Sequence, residues 1–303
     1  MNAIEAMQAE IGYQIHDLQK LKLSPLDKNC LFVGSGDSYV AGLAAQYVSG
    51  SRALCCYPTD VIQNPSLVNG RNVYVVSISG NTEANILAAR VAKKQGARTT
   101  AITARPASRL ARACDQTIEL KYRSAGVITA GTTSFAASML ACISLAAKVK
   151  LPANLGKIYR QVENQAKQPV GEIGRKSRFV ILGNGLLYPA AIYGALKFNE
   201  VLGARAVPYP AGEFCHSSLF SAKRSDQIIV MGSDSKQLDE RLGREGFSSM
   251  HVDFKSAGIG LLLQSTFFVQ LLVLKLAQRR ELTSCYFLKN RKLLKMSSDF
   301  IYG

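Results

Sequence analysis

One pattern occurs twice in this chain: a short apolar segment, a Gly-x-Gly turn, and then a segment rich in small residues. The first copy is CLFVGSGDSYVAG, beginning at Cys30, and the second is RFVILGNGLLYPAA, beginning at Arg178. A strand that runs through a tight glycine turn into a helix is the opening unit of a parallel sheet covered by helices. Its repetition predicts the duplication of one such unit. The expected fold class is therefore α/β, with two Rossmann-like subdomains, each a mostly parallel sheet flanked by helices.

The segments after the first copy continue the alternation of strands and helices. Apolar strands are predicted at residues 73–77, 98–103 and 116–120, with Arg109 and Arg112 on a helical segment between the last two. Such an array favours parallel strands joined by helices. Residues 150–176 are polar and charged, which places the boundary between the halves there. The predicted organisation is an N-terminal helix over residues 1–22, a first subdomain over 23–150, a linker over 151–176, a second subdomain over 177–288 and a C-terminal tail over 289–303.

The turn after the strand predicted at residues 73–77 has the composition of a phosphate-binding loop. Ser77, Ser79 and Thr82 supply three hydroxyls within SISGNT, and an amphipathic helix begins at Glu83. The N–H groups of such a turn and the positive end of the helix both favour an anion. A serine-rich N-cap without a ligand is the alternative interpretation. The corresponding turn of the second half, GSDSKQLDE, is acidic and is expected to repel an anion.

A second group of candidate residues lies between residues 195 and 219. Lys197 and Glu200 are three apart in a segment with helical apolar spacing, so their side chains leave the same helix face. A carboxylate held near a lysine stays ionised and can act as a base. His216 follows a Tyr-Pro-Ala-Gly turn that can fold the chain back toward this face, and a histidine titrates near neutrality. A surface ion pair and an ordinary loop histidine are the alternative.

The composition of the chain limits the classes of partner that it is expected to bind. The formal net charge of +16 suits an anionic partner, and phosphorylated metabolites and nucleic acid both qualify. Aromatic residues do not alternate with the basic ones and no nucleic-acid-binding motif occurs, so no nucleic-acid partner is expected. The seven cysteines include no Cys-x-x-Cys pair, which predicts reduced core thiols instead of disulfides or a zinc site.

Two further segments bear on location. The first 21 residues, MNAIEAMQAEIGYQIHDLQKL, have helical periodicity and acidic residues instead of a basic and then apolar signal, which predicts a cytoplasmic protein. Residues 257–277 approach the length of a membrane span, but Gln264, Ser265, Thr266 and Gln270 interrupt them. A buried or interface helix is therefore expected there, and no membrane partner.

Three motifs resemble the sugar isomerase (SIS) family. They are VVSISGNTEAN at residues 75–85, LGNGLLYPAAIYGALKFNE at residues 182–200 and VPYPAGEFCHSSL at residues 207–219. The chain is similar, over about residues 20–300, to double-SIS proteins such as the isomerase half of glucosamine-6-phosphate synthase and to stand-alone archaeal phosphosugar isomerases and deaminases. The positions that this resemblance assigns to substrate binding are Ser38, Ser77, Ser79 and Thr82, with Gly36 and Gly80 in the two binding turns.

The same resemblance implies the catalytic groups. It implies that Glu200 transfers a proton with Lys197 beside it, and that His216 assists ring opening and is donated across the interface of a homodimer. It also implies a lysine in a C-terminal tail that closes the site, for which Lys295 is the best match. Lys289 and Lys292 compete for that role, and a basic solvated tail is the alternative.

The expected function is a phosphosugar aldose-ketose isomerase acting on a hexose 6-phosphate or amino-hexose 6-phosphate, with no metal or other cofactor. A glucosamine-6-phosphate deaminase is the first alternative, and a non-catalytic phosphosugar sensor is the second. Asn199 stands where relatives often have lysine, and Ser217-Ser218 replaces a usual Gly-Pro, which bears on the substrate. Because no glutamine-hydrolysing domain precedes the two halves, a complete glutamine-dependent synthase is not expected.

Overall fold

The computed structural model describes residues 1–173 and 178–303 and divides the chain into two compact units. Unit A consists of His16–Ser124, Gly131–Lys150 and Arg291–Gly303, and unit B of Met1–Ile15, Ala125–Ala130 and Leu151–Asn290. The segments predicted as an N-terminal helix and as a linker therefore fall mostly within unit B. The predicted C-terminal tail falls mostly within unit A.

Strands and helices alternate along both units. The strands are β1 (Cys30–Val33), β2 (Leu54–Cys56), β3 (Asn72–Val76), β4 (Thr99–Thr103), β5 (Gln116–Glu119), β6 (Arg178–Gly183), β7 (Arg205–Tyr209), β8 (Gln227–Met231) and β9 (Ser248–Val252). The helices are α1 (Ala3–Asp17), α2 (Asp37–Val48), α3 (Pro58–Gln63), α4 (Glu83–Lys94), α5 (Arg109–Ala113), α6 (Thr133–Ala146), α7 (Leu155–Lys167), α8 (Val170–Ile173), α9 (Leu187–Leu202), α10 (Ala211–His216), α11 (Lys236–Arg244), α12 (Ile259–Arg279), α13 (Tyr286–Lys289) and α14 (Arg291–Tyr302).

The sheet of unit A has the order β2-β1-β3-β4-β5, and all its strands are parallel. Its central strands are apolar on both faces, because Leu31 and Val33 pack on one side while the rings of Phe32 and Tyr74 lie 5.6 Å apart on the other. Two buried faces are the condition under which parallel sheets occur. The predicted α/β class with parallel sheets is confirmed in this unit.

The sheet of unit B has the order β7-β6-β8-β9 and is also parallel throughout. One cluster of buried side chains lies under α10 and α11 and includes Val180, Phe214 and Ile228. Helix α9 packs against β6 and β7, and α12 packs against α7 and α9. The second unit thus repeats the strand order of the first without its last strand.

The two glycine turns share two backbone features, which supports duplication of one unit. A Cβ added at Gly34 or at Gly183 would lie 2.8 Å from the backbone of the helix that follows. Two residues later, Gly36 and Gly185 have φ values of +55° and +53°. Only glycine adopts that conformation readily, so each turn needs a glycine at both positions.

Among residues 1–173 and 178–303, α12 is the one helix whose length and composition would suffice to cross a membrane. Its most apolar window is 89% buried inside the structure, and Gln270 within it donates to the hydroxyl of Tyr193 at 3.0 Å. The expectation of a buried helix is confirmed. The expectation of core thiols is wrong at one position, because Cys215 on α10 is exposed while the other six cysteines are buried or partly buried.

Candidate functional site

The order of the strands in unit A predicts where a ligand binds. In an order of 2-1-3-4-5 the chain leaves β1 and β3 in opposite directions, and ligands of such sheets bind outside the carboxyl ends of these two strands. The turn that contains Gly36 and Ser38 follows β1, and residues 77–82 follow β3. Since Val33 and Val75 are register partners, both turns emerge at the same edge of the sheet.

Residues 77–82 form a compact hydroxylic loop. The N–H of Gly80 donates to the carbonyl and to the Oγ of Ser77 at 3.1 and 3.2 Å, and the N–H of Asn81 donates to Ser79 Oγ at 3.3 Å. The Oγ of Ser77 lies 3.4 Å from Thr82 Oγ1. The loop therefore gathers the three predicted hydroxyls within a single turn of chain.

Gly80 is required by this loop for two reasons. Its φ is +63°, and an added Cβ would lie 2.1 Å from the Oγ of Ser108. Its carbonyl accepts from the N–H of Leu110 at 2.9 Å, which fixes the loop to the start of α5. The loop is thus held in one conformation by its neighbours before any ligand arrives.

The first turn of α4 presents unused donors beside this loop. Thr82 is the N-cap residue, but its side chain makes no capping hydrogen bond. Across residues 1–173 and 178–303, the N–H groups of Glu83, Ala84 and Asn85 find no acceptor. These N–H groups are therefore available to an anion.

The acidic residue nearest to the loop is neutralised. Glu83 Oε2 accepts from Arg109 Nη2 at 2.5 Å, and Arg109 Nη1 donates to the carbonyl of Tyr302 at 3.4 Å. The ion pair removes a carboxylate charge that would repel a phosphate. The second contact connects α14 to the same edge of unit A.

The tail lysine is placed on α14, where Lys295 Nζ lies 2.6 Å from Asp299 Oδ2. Both side chains are exposed, and they form an i,i+4 pair on the helix surface. The expectation that Lys295 acts on the substrate stays a prediction. Lys289 ends α13, and Lys292 is the second residue of α14.

A cavity adjoins the phosphate loop at the carboxyl ends of β4 and β5. Its volume is about 450 Å³, and its lining residues include Ile78, Arg105, Glu119, Lys121 and Tyr122. Glu119 pairs with Lys121 at 3.3 Å, whereas Arg105 has no carboxylate partner in the described part of the chain. Sequence reasoning missed these residues, although their positions just after two predicted strands were a signal for them.

In unit B, Lys197 and Glu200 form the pair that their spacing predicted. Lys197 is 1% exposed, its Nζ lies 2.6 Å from Glu200 Oε2, and it stands 5.2 Å from the centroid of the Tyr193 ring. The side chain of Glu200 is 36% exposed. A buried ammonium strongly favours an ionised partner, and the partner's exposure leaves its carboxylate accessible to a ligand.

Asn199, at a position where the family resemblance expects lysine, has a structural role. Its Oδ1 accepts from the N–H of Ala206 at 3.0 Å, and its Nδ2 donates to the carbonyl of the same residue at 3.4 Å. This pair of bonds ties the end of α9 to the start of β7. The orientation of the turn carrying Glu200 depends on it.

His216 is the last residue of α10 and is exposed. The helix is anchored at its start, where the N–H of Ala211 donates to Asn184 Oδ1 at 2.8 Å. Among the described residues, His216 makes no hydrogen bond or ion pair with Lys197 or Glu200. The structure therefore pairs Lys197 with Glu200 but does not add His216 to them.

The equivalent switch point of unit B lies between β6 and β8 and holds a carboxylate. Asp234 Oδ2 accepts from Asn184 Nδ2 at 2.9 Å. This acidic group occupies the position that corresponds to the phosphate loop in unit A. The two units have thus diverged in charge while keeping the same topology.

Comparison with known proteins gives one family match and several relatives. The model of the SIS domain family matches residues 27–148. The chain is 27% identical over 242 residues to the isomerizing glutamine–fructose-6-phosphate aminotransferase of Sulfurisphaera tokodaii, with 75% of this chain and 40% of that protein covered. It is 29% identical over 263 residues to the enzyme of the same name from Legionella pneumophila, with 79% and 42% covered. The chain therefore spans less than half the length of these relatives.

Solved structures show the same fold over nearly the whole chain. A glucosamine-6-phosphate deaminase from Thermotoga maritima has a TM-score of 0.74 at 22% identity, covering 92% of this chain and 96% of that one. A tagatose-6-phosphate ketose/aldose isomerase from Escherichia coli has a TM-score of 0.65 at 18% identity, with 93% and 91% covered. The resemblance drawn from the three motifs is confirmed by these matches.

Proposed function

From the match of residues 27–148 to the SIS domain family, we propose that the protein is a phosphosugar isomerase. It opens the ring of a hexose 6-phosphate or amino-hexose 6-phosphate and moves a proton between C1 and C2. The names of similar proteins refer to fructose, glucosamine and tagatose, all as 6-phosphates. We assign the phosphate group to residues 77–82 and the proton transfer to Glu200.

The observation that carries this proposal is the combination of hydroxyls and unused N–H groups at the start of α4. Ser77, Ser79 and Thr82 lie within one turn, and the N–H groups of the next three residues have no acceptor among the described residues. A phosphate dianion offers acceptor oxygens to several donors at once, and it also gains from the positive end of the helix. An uncharged sugar would leave most of these donors without an acceptor.

The chemical step requires a base that is ionised and accessible. The surroundings of Glu200 suit such a base, since Lys197 Nζ lies 2.6 Å from its Oε2 and 36% of its side chain is exposed. In the open-chain sugar, the carbonyl acidifies the hydrogen on the adjacent carbon. Glu200 takes that proton, the electron pair forms an enediol or enolamine, and the proton returns at the neighbouring carbon.

Ring opening precedes this step and needs a proton to leave the anomeric hydroxyl while another reaches the ring oxygen. We assign this transfer to His216, following the resemblance of residues 207–219 to the family motif. Imidazole both accepts and donates a proton near neutral pH. His216 is exposed in the chain, as a group shared with a second subunit has to be.

Deamination of glucosamine 6-phosphate is the second candidate. It begins with the same proton transfer, which converts the amino-aldose into a 2-imino sugar. Water then adds to the imine and ammonia leaves, so that fructose 6-phosphate remains. The fold likeness to the Thermotoga maritima deaminase, with its TM-score of 0.74, is the observation that favours including it.

A phosphosugar sensor without activity needs the phosphate loop but has no use for a base. The Lys197–Glu200 pair favours an enzyme, because a buried lysine is costly to keep where it serves nothing. Incubation with fructose 6-phosphate, with and without ammonium, and with glucosamine 6-phosphate separates the candidates when the products are followed by mass. Conversion in either direction supports the proposal, and tight binding of both sugar phosphates without conversion would instead establish a sensor.

A further inference from the structure

We propose that unit B contains a second anion site that binds hydrogen phosphate and restrains the segment next to His216. The site is a cavity of about 80 Å³, whose polar lining is Arg178, Arg205, Asp226, Tyr209, Ser218 and Ser221. A volume of that size holds a few water molecules, which suits a five-atom oxyanion better than a whole sugar. The cavity lies on the face of the sheet that α10 covers.

The first argument is a like-charge pair built into the sheet. Arg178 and Arg205 are register partners on the neighbouring parallel strands β6 and β7, so their side chains leave the same face. Like charges directly opposite each other on a sheet are destabilising. A ligand that carries negative charge removes this repulsion.

The second argument is that the local acids neutralise only one of the two arginines. Asp226 Oδ1 lies 3.1 Å from Arg178 Nε, and of the described residues that line the cavity only Asp226 carries a carboxylate. Arg205 makes no ion pair with any described residue. The lining therefore keeps one positive charge in excess, next to a cavity of the right size for an oxyanion.

The third argument concerns which oxyanion fits. The carboxylate of Asp226 is 2% exposed, and its Oδ2 accepts from the N–H of Lys223 at 3.0 Å. Its Oδ1 accepts no hydrogen bond from the described residues, since the contact with Arg178 is an ion pair without hydrogen-bond alignment. A buried acceptor without a donor is unfavourable. Hydrogen phosphate carries an O–H that can donate to this oxygen, whereas sulfate and a fully ionised phosphate ester do not.

The fourth argument links the cavity to the candidate site. Ser218 and Ser221 belong to a 3-10 turn that begins two residues after His216, and this turn forms one wall of the cavity. The hydroxyls of Tyr209 and Ser218 have no partner among the described residues and can both donate to an anion. An anion held by these groups and by Arg205 fixes the turn against the sheet, and with it the end of α10.

The test uses a protein in which Ser79→Ala and Thr82→Ala weaken the first phosphate loop. Calorimetric titration with inorganic phosphate is expected to show one tight site in this background, because Ser77 and the N–H groups of α4 alone hold the anion more weakly. Arg205→Gln should weaken that site roughly tenfold or more, as expected for loss of a charge-assisted contact. Arg244→Gln removes an exposed arginine of the same unit outside the cavity and should leave the site unchanged. Arg205→Lys keeps the positive charge but loses the planar guanidinium group, so its affinity for phosphate should lie between those of the Arg205→Gln and Arg244→Gln proteins.

Two further arms identify the ligand and the effect on the segment. At pH 8, sulfate and fructose 6-phosphate should bind this site roughly tenfold more weakly than phosphate, because neither the sulfate nor the ester phosphate group then carries a proton, and the sugar exceeds the cavity of about 80 Å³. Phosphate should also slow thiol labelling of the exposed Cys215, with Cys215→Ser as the blank, and should not do so in the Arg205→Gln protein. The proposal would be overturned if the protein with Ser79→Ala and Thr82→Ala bound no phosphate. It would also be overturned if the Arg205→Gln and Arg244→Gln proteins bound phosphate with equal affinity. Equal binding of sulfate and phosphate would overturn the role of Asp226.

Discussion

Replacement of Glu200 by glutamine tests whether this residue is a catalytic carboxylate or only a structural partner of Lys197. Glutamine has the same shape and keeps an oxygen that can accept from Lys197 Nζ, which lies 2.6 Å from Glu200 Oε2. A carboxamide cannot accept the proton of the substrate. Because the proposal assigns the phosphate to residues 77–82 of unit A, binding of the phosphosugar should persist.

The expected loss of turnover follows from the usual contribution of a general base. Such a group contributes a factor of about a hundred to ten thousand, which corresponds to roughly 2.7–5.5 kcal/mol of transition-state stabilisation. The stability cost should be smaller. Breaking a buried ion pair costs about 3–5 kcal/mol, but Glu200 is 36% exposed and glutamine keeps a hydrogen bond. We therefore expect a loss of about 1–3 kcal/mol in the free energy of unfolding.

Three measurements give these quantities: steady-state turnover, exchange of the C2 hydrogen of the substrate with solvent deuterium, and thermal unfolding. Glu213→Gln is the matched control, because Glu213 is an exposed carboxylate on the neighbouring helix α10. Turnover and exchange should fall together in Glu200→Gln and stay near the wild-type values in Glu213→Gln. Near-normal exchange and turnover in Glu200→Gln would refute the reasoning, and loss of activity in the control instead would transfer the role to Glu213.

Three other outcomes are expected. The combined Ser79→Ala and Thr82→Ala protein should bind fructose 6-phosphate more weakly by roughly 1–3 kcal/mol per lost charge-assisted bond, while Ser225→Ala, an exposed serine of unit B, should bind normally; unchanged calorimetric affinity in the double variant would remove the loop from the site. Hydrogen bonds from Lys93 and from the backbone and side chain of Thr99 lower the pKa of Asp115 from 3.8 to about 2, so the stability that Asp115 contributes is present above pH 4 and is lost as the pH falls toward 2. The unfolding temperature of the Asp115→Asn protein should therefore decrease less than that of the wild type between pH 4 and pH 2. An equal decrease in the two proteins would contradict the role of Asp115. Light scattering at micromolar concentration should give a dimer, and a monomer would rule out the donation of His216 across an interface.

Local sequence patterns predicted the parts of the site that depend on neighbours in the chain. The hydrogen bonds within residues 77–82 span at most five residues, and Lys197 meets Glu200 across three. The α/β fold class could be predicted for the same reason, because each Gly-x-Gly turn lies between a strand and a helix that are adjacent in the sequence. Each of these features depends on residues that lie close together in the sequence.

Features that depend on strand order and register were not predicted. Strand β2 has only three residues. Strand β7 contains Pro208, which is tolerated because β7 lies at the edge of its sheet. The cavity beside the phosphate loop joins residues after β3, β4 and β5, which come together only when these strands pair. The opposition of Arg178 and Arg205 likewise exists only once β6 and β7 are in register.

The most direct test of the proposed phosphosugar site is a crystal structure of the protein with fructose 6-phosphate bound. The phosphate oxygens are expected within hydrogen-bond distance, about 3 Å, of the hydroxyls of Ser79 and Thr82 and of the N–H groups that open α4. The C1–C2 end of the sugar is expected beside the carboxylate of Glu200. A sugar phosphate bound at any other place, with residues 77–82 left without an anion, would contradict the account.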